Sequence, residues 1–174
     1  MLNGQPQYRS QRFVVERVTY RDSQGHEFMR DVIRHPGSVV IVPLVTADQV
    51  CLIRNYRASV DEHLIELPAG TLESGEPAEQ CAARELTEET GFRARTWKQL
   101  TSFYAAPGIL DEHMRLFLAS DLDQGSPARE PGEQIQNLVV SLDEALRMVH
   151  DGTIKDAKTI IGLMLYSHQM GPTG

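Results

Sequence analysis

Three glutamates on one short helix constrain this chain more than any other feature. Between Pro77 and Gly91 it reads AEQCAARELTEET, good helix formers throughout. Proline is favoured in a first helical turn, and glycine at the residue just past a helix end. On such a helix Glu85 and Glu89 stand at i, i+4, Glu85 and Glu88 at i, i+3, and Arg84 and Glu88 at i, i+4. Side chains at these spacings are neighbours, and like charges there destabilise a helix. A row of glutamates is ordinarily a solvated face. The other solution is a cation. Hard divalent ions take oxygen ligands in octahedral geometry, and two or three carboxylates from one rigid helix, with waters and phosphate oxygens, meet that need. The planar fork of Arg84 suits a neighbouring carboxylate.

The rest of the chain supplies strands around this helix. FVVERVTY and EFMRDVIRH flank the polar turn RDSQGH, which predicts an antiparallel hairpin near the N-terminus. VVIVPLV (39–45) and VCLIRNYR (50–57) read as strands about the turn TADQ, and HLIELPAG as an extended run ended by Pro68 and Gly70. Further strands are expected over 97–104, 114–122 and IQNLVV. Ser141 and Glu144 form a capping-box pattern before the helix LDEALRMVH, and DAKTIIGLMLYSHQ is a last helix with an apolar face. Many strands with helices between and after them predict an α/β or α+β sandwich.

Charge and composition narrow the partners. With 24 acidic against 17 basic residues, the net charge is −7, which disfavours binding to a nucleic-acid backbone. An acidic protein acting on a phosphate compound needs a bridging cation. Cys51 and Cys81 sit among apolar or small residues and have neither metal-knuckle nor disulfide spacing, so they read as buried small hydrophobes. No stretch reaches a membrane span of about 18 apolar residues, and MLNGQPQYRSQR has no apolar signal core. A cytoplasmic protein with no membrane or nucleic-acid partner is the expectation.

The stretch runs Gly70, five residues, Glu76, seven residues, then Arg84-Glu85-Leu86-Thr87-Glu88-Glu89-Thr90-Gly91-Phe92. This resembles the Nudix box, G-x5-E-x7-R-E-U-x-E-E-x-G-U with U a bulky apolar residue, at every specified position. A chance match in a chain of this length is on the order of 10⁻⁷ or less at average composition. The resemblance implies an α/β fold, a Nudix-type α/β/α sandwich with a mixed central sheet. It also implies an N-terminal antiparallel hairpin extension, giving an arm at 1–36, expected to dimerise, and a catalytic domain at 37–174. It implies that Glu85, Glu88, Glu89 and the Ala69 carbonyl hold Mg²⁺ or Mn²⁺, two to three ions per site with substrate. Glu76 would pair with Arg84, and Gly70 and Gly91 would shape the box.

Outside the box, LIRNYR, LIELPAG and FYAAPGILDE resemble the ADP-ribose pyrophosphatase and nucleotide-sugar hydrolase branch. Pro107 lies 16 residues beyond Gly91, a spacing similar to that of the ADP-ribose subfamily. The resemblance implies divalent-metal-dependent hydrolysis of ADP-ribose to AMP and ribose 5-phosphate, by a homodimer. The alternatives are a GDP-mannose or other nucleotide-sugar hydrolase and, in another class, a Nudix module that binds a nucleotide without cleaving it. Glu133 is the expected catalytic base, with Glu130 as the alternative, acting beside Glu88 and Arg84. Arg57 (rather than Arg54), Arg34 and Glu112 are the expected substrate contacts, each weighed against an ordinary surface charge.

Overall fold

The computed structural model describes residues 4–10, 12–129 and 134–170. The chain opens with β1 (Gly4–Arg9), β2 (Val14–Arg21) and β3 (Glu27–Arg34), then β4 (Ser38–Pro43), β5 (Gln49–Arg57), β6 (Glu62–Glu66) and the short β7 (Ala69–Thr71). Helix α1 (Ala78–Thr90) follows, then β8 (Phe92–Tyr104), β9 (His113–Gln124) and β10 (Ile135–Ser141), and helices α2 (Leu142–His150) and α3 (Ala157–Met170) close the fold.

Among the described residues the strands form three sheets, ordered β1-β2-β3, β10-β5-β6 and β7-β4-β9-β8. β4 pairs parallel with β9, whereas β7 on β4 and β8 on β9 are antiparallel. That mixed sheet is the expected one. All six residues of β4 are buried, as an apolar run covered on both faces should be. Successive side chains of a strand point to opposite faces, and here the alternation divides the core in two. Val40 and Val42 of β4, Val50 and Leu52 of β5, and Met114 and Leu116 of β9 pack with Ala145, Met148 and Leu163 of α2 and α3. Val39, Ile41, Cys51, Phe117 and Ala119 turn the other way, onto Cys81, Ala82 and Leu86 of α1. Helices therefore cover both faces, and both cysteines lie in the interior.

Three local expectations change. The N-terminal hairpin gains a third strand, β1, which pairs antiparallel with β2. Its residues GQPQYR carry Pro6 and five exposed positions, so no apolar alternation announced it; proline suits such an edge. β8 starts at Phe92, directly after α1, rather than near 97. In its first half Phe92, Ala94 and Trp97 face the core beneath α1, while the outer side is held by cross-strand pairs, Arg95 with Asp123 and Thr96 with Asp121. Pro77 is the N-cap of α1, with ψ 139° and no side-chain cap bond, so helical geometry begins one residue later than the proline.

The C-terminal end of α1 positions the glutamates. Gly91 takes φ 82° and donates its N–H to the Thr87 carbonyl. A Cβ there would lie 2.6 Å from the Gly125 carbonyl oxygen, so both backbone angle and space call for glycine. α2 begins as the capping pattern requires, with the Ser141 hydroxyl accepting the Glu144 N–H at 3.1 Å.

Candidate active site

α1 lies against β7, and its glutamates meet the backbone of that strand. Glu89, 4% exposed, accepts the Ala69 N–H at 3.0 Å. Glu85 lies over Gly70 so closely that a Cβ on residue 70 would sit 1.8 Å from the Glu85 Cδ. Arg84 ties the group together. Its Nε and Nη2 grip both oxygens of Glu76, at 2.9 and 3.0 Å, while Nη1 donates to Glu85 at 2.8 Å and to Glu88 at 3.1 Å. The Arg84 hydrogen bonds outweigh the desolvation of Glu76 and hold its carboxyl down at about 2. The Arg84 guanidinium is raised in turn, chiefly by Glu76. Burial pushes both thiols up to about 12, and the Cys81 sulfur accepts from Arg84 Nη2 at 3.4 Å.

A cleft runs past this group in two halves that share Arg57, Ala69, Gly70 and Thr71. The acidic half, about 260 Å³, is lined by Glu85, Glu88, Glu89 and Arg84, with Asn55 of β5 and Arg12. The other half, about 360 Å³, is lined by Ser38, Tyr104, Glu112 and Lys158. Ser38 donates its hydroxyl to Glu112 at 2.8 Å.

Arg57 borders both halves and clamps Glu66, with Nε to Oε1 at 2.7 Å and Nη2 to Oε2 at 2.5 Å. It is not a loosely solvated charge at a strand end. Arg34 lies elsewhere among the described residues: it bonds Glu16 at 2.9 Å and Asp111 at 3.1 Å, beside a separate cavity under the Pro107 loop. Glu133 and Glu130, the two candidates for the base, fall outside the described residues. Arg12, Asn55, Glu66 and Lys158 were not picked out from the sequence. Lys158 is distant in the chain from every motif, whereas Asn55, inside LIRNYR, and Glu66, inside LIELPAG, sat within stretches already singled out.

A divalent cation fits this donor set. The donors are hard oxygens, Glu85 and Glu89 both reach the β7 backbone, and Gly70 leaves the room that a side chain would fill. Among the described residues no three acidic, His or Cys side chains are already drawn together as a metal cluster. The cation that Glu85 and Glu88 hold here is Arg84.

A helix of clustered carboxylates flanking a mixed sheet, with arginine at the cleft, is suited to a divalent cation and a phosphate-bearing ligand. The chain belongs to the Nudix hydrolases: the family model for the NUDIX domain matches residues 34–161. It is similar to an ADP-ribose pyrophosphatase of Bacillus subtilis (strain 168), 35% identical over 137 residues, which cover 78% of this chain and 74% of that protein. A GDP-mannose pyrophosphatase of Cronobacter sakazakii is 35% identical over 164 residues, 86% of this chain and 85% of that protein. A crystal structure of an ADP compounds hydrolase superposes with a TM-score of 0.84 over 99% of this chain and 94% of that one, at 26% identity.

Proposed function

We propose that the chain hydrolyses the diphosphate linkage of a nucleoside diphosphate joined to a sugar, with ADP-ribose split to AMP and ribose 5-phosphate. The observation that carries this reading is the packing of Glu85 and Glu89 against Ala69 and Gly70, where an acidic cavity meets one bordered by cations. The Bacillus relative supports ADP-ribose. GDP-mannose is the second reading, favoured by the fuller coverage of the Cronobacter enzyme.

Two or three Mg²⁺ or Mn²⁺ ions, held by Glu85, Glu88, Glu89 and the Ala69 carbonyl, would neutralise the diphosphate and acidify a water. The chain's own groups do the rest. Arg84 orients Glu85 and Glu88 from its clamp on Glu76. Arg57 grips diphosphate oxygens at the junction of the two cavities, a geometry its fork suits. Glu112 meets the sugar side. Glu133 accepts the proton of the attacking water, which must come within hydrogen-bond reach of it. The water oxygen bonds to one phosphorus as the bridging P–O bond breaks, and the second phosphate leaves with that electron pair.

The test is side-by-side turnover of ADP-ribose, ADP-glucose, GDP-mannose and NADH in magnesium buffer and with a chelator. Chelator-sensitive cleavage of ADP-ribose supports the reading. Turnover of GDP-mannose alone moves the substrate, and binding without cleavage removes the enzyme. Glu89→Gln should lower kcat/KM by more than the 10–100-fold typical of outer-shell changes at metal sites, ~100-fold or beyond, with an unchanged circular dichroism spectrum. Glu133→Gln should lower kcat with metal affinity retained; full activity in that variant assigns the base elsewhere.

Residues 1–36 are proposed as a dimerisation arm, with Arg34 reaching the substrate of a partner subunit. The cytoplasm is the proposed compartment, in keeping with two free, buried cysteines. Cell fractionation tests that, and secretion of the protein would refute it.

A further inference from the structure

One buried carboxylate behind the cleft wall holds two cations. Glu66, the last residue of β6, is 1% exposed. It accepts both hydrogen bonds of the Arg57 clamp and a third from Lys158 Nζ at 2.6 Å. Burial pushes the Glu66 carboxyl up, but hydrogen bonds and charge from Arg57 and Lys158 outweigh it, and the net shift is downward. Lys158 stands in the first turn of α3, its side chain 10% exposed, with Nζ 3.0 Å from Asp156 Oδ1. The other Asp156 oxygen caps α3, accepting from the Thr159 N–H at 3.0 Å and the Thr159 hydroxyl at 2.6 Å. That hydroxyl accepts the Leu67 N–H at 2.7 Å. The start of α3 is thus locked to the end of β6 through a continuous chain of hydrogen bonds.

The donor count shows what the lock leaves over. An ammonium has three N–H donors and a guanidinium five. Lys158 donates to Glu66 and forms an ion pair with Asp156, and Arg57 gives Glu66 its Nε and one Nη2 proton. Both side chains border the cleft. Arg57 lines both halves, Lys158 only the larger and the box glutamates only the acidic one. A buried ion pair is a poor device for stability alone, since apolar residues of similar volume often do as well. Two cations fixed on one carboxylate and lining a cavity wall are suited to reading oxygen atoms. The larger half also offers Glu112 and the Ser38 hydroxyl as polar partners and Tyr104, 58% exposed, as an aromatic face. Hydroxyl groups and one apolar ring face are the chemistry of a sugar.

We infer that Lys158 is a substrate-binding residue for the phosphorylated sugar half of the substrate, and that Glu66 is the positioning residue fixing Lys158 and Arg57 as a pair. This rests on the hydrolase reading above. Wild-type turnover tests that reading first, and calorimetric binding of the two products tests this inference without turnover. Lys158→Met keeps the apolar stem and removes the charge. It should raise KM about tenfold or more, the size of one charged hydrogen bond, with kcat within about twofold, the pattern of lost uniform binding. It should weaken ribose 5-phosphate by a similar factor and leave AMP unchanged. Weakened AMP instead, or neither product weakened, overturns the sugar assignment. Glu66→Gln should also raise KM, and because both changes act through one contact, the double variant should be no worse than the worse single variant. Multiplying effects overturn the positioning role. If Glu66→Gln fails to fold, the Lys158→Met measurements decide the binding role unaided.

Discussion

A methyl group at residue 70 and one at residue 162 would fail for different reasons. At Gly70 the obstacle is the Glu85 carboxylate, 1.8 Å from a built Cβ. That group ends a flexible side chain and can swing away, so Gly70→Ala should lower metal-dependent kcat steeply while costing well under the ~1–3 kcal/mol typical of overpacking. Loss of Tm without loss of activity would contradict the argument. Glu76 gives a prediction in pH. Its folded value, about 2 against an ordinary 4.5, is depressed chiefly by Arg84. The stability it contributes is therefore fully present above about 4.5 and lost as pH falls toward 2. Glu76→Gln should be less stable than wild type at neutral pH, with a shallower fall in Tm across that window. Parallel curves would show that Glu76 does not carry the effect.

At the scale of the element, α1 is an unfavourable helix made serviceable by its surroundings. Its last turn holds no basic residue, yet Glu88 and Glu89 stand there, against the partial negative charge of a helix C-terminus. Only Glu79 in the first turn suits the dipole. Arg84, the Ala69 N–H and packing of Leu86 offset this repulsion. α3 poses a packing question. A Cβ on Gly162 would lie 2.5 Å from Leu67 Cδ1 and 3.3 Å from Leu116 Cδ1, and both leucines are fully buried. Alanine gains about 1 kcal/mol of helix propensity over glycine, but overpacking costs roughly 1–3 kcal/mol. Gly162→Ala should therefore lower stability by up to about 2 kcal/mol, measured by urea denaturation. A more stable variant would mean that α3 can shift without loss.

At the scale of the whole molecule, the backbone hydrogen bonds that attach the N-terminal sheet among the described residues are few. β3 meets the loop after β8 through Ile33 N–H to Ile109 O at 2.9 Å and Asp111 N–H to Ile33 O at 3.1 Å, and through Arg34 on Asp111. Tyr8 and Met29 of this sheet are 60% and 64% exposed, and Phe28 is 40% exposed. Phe28 and Met29 follow one another in β3 and so point to opposite faces; a small sheet this exposed is marginal alone, which supports the proposed dimer. Light scattering should give twice the mass of 19.5 kDa, and removal of residues 1–36 should return a monomer. A wild-type monomer would refute the arm.

The sequence by itself determined the family, the carboxylate helix, its glycine stop and the strands that alternate or run wholly apolar, because each depends on spacing along one short segment. The two-sided core was legible for the same reason, since β4 is apolar on both faces. β1 was not, because an exposed polar ribbon carries no burial pattern, and the start of β8 was not, because its inward residues Phe92, Ala94 and Trp97 break strict alternation at Arg95-Thr96. Arg57 was legible as a candidate, but its bond to Glu66 and the arrival of Lys158 from 92 positions away were not. Those contacts join β5, β6 and α3, and only the packing of α3 over the sheets sets them. Local periodicity is fixed by backbone geometry within a few residues, whereas a cleft wall is fixed by which faces must leave water together, and that is decided when the whole chain closes.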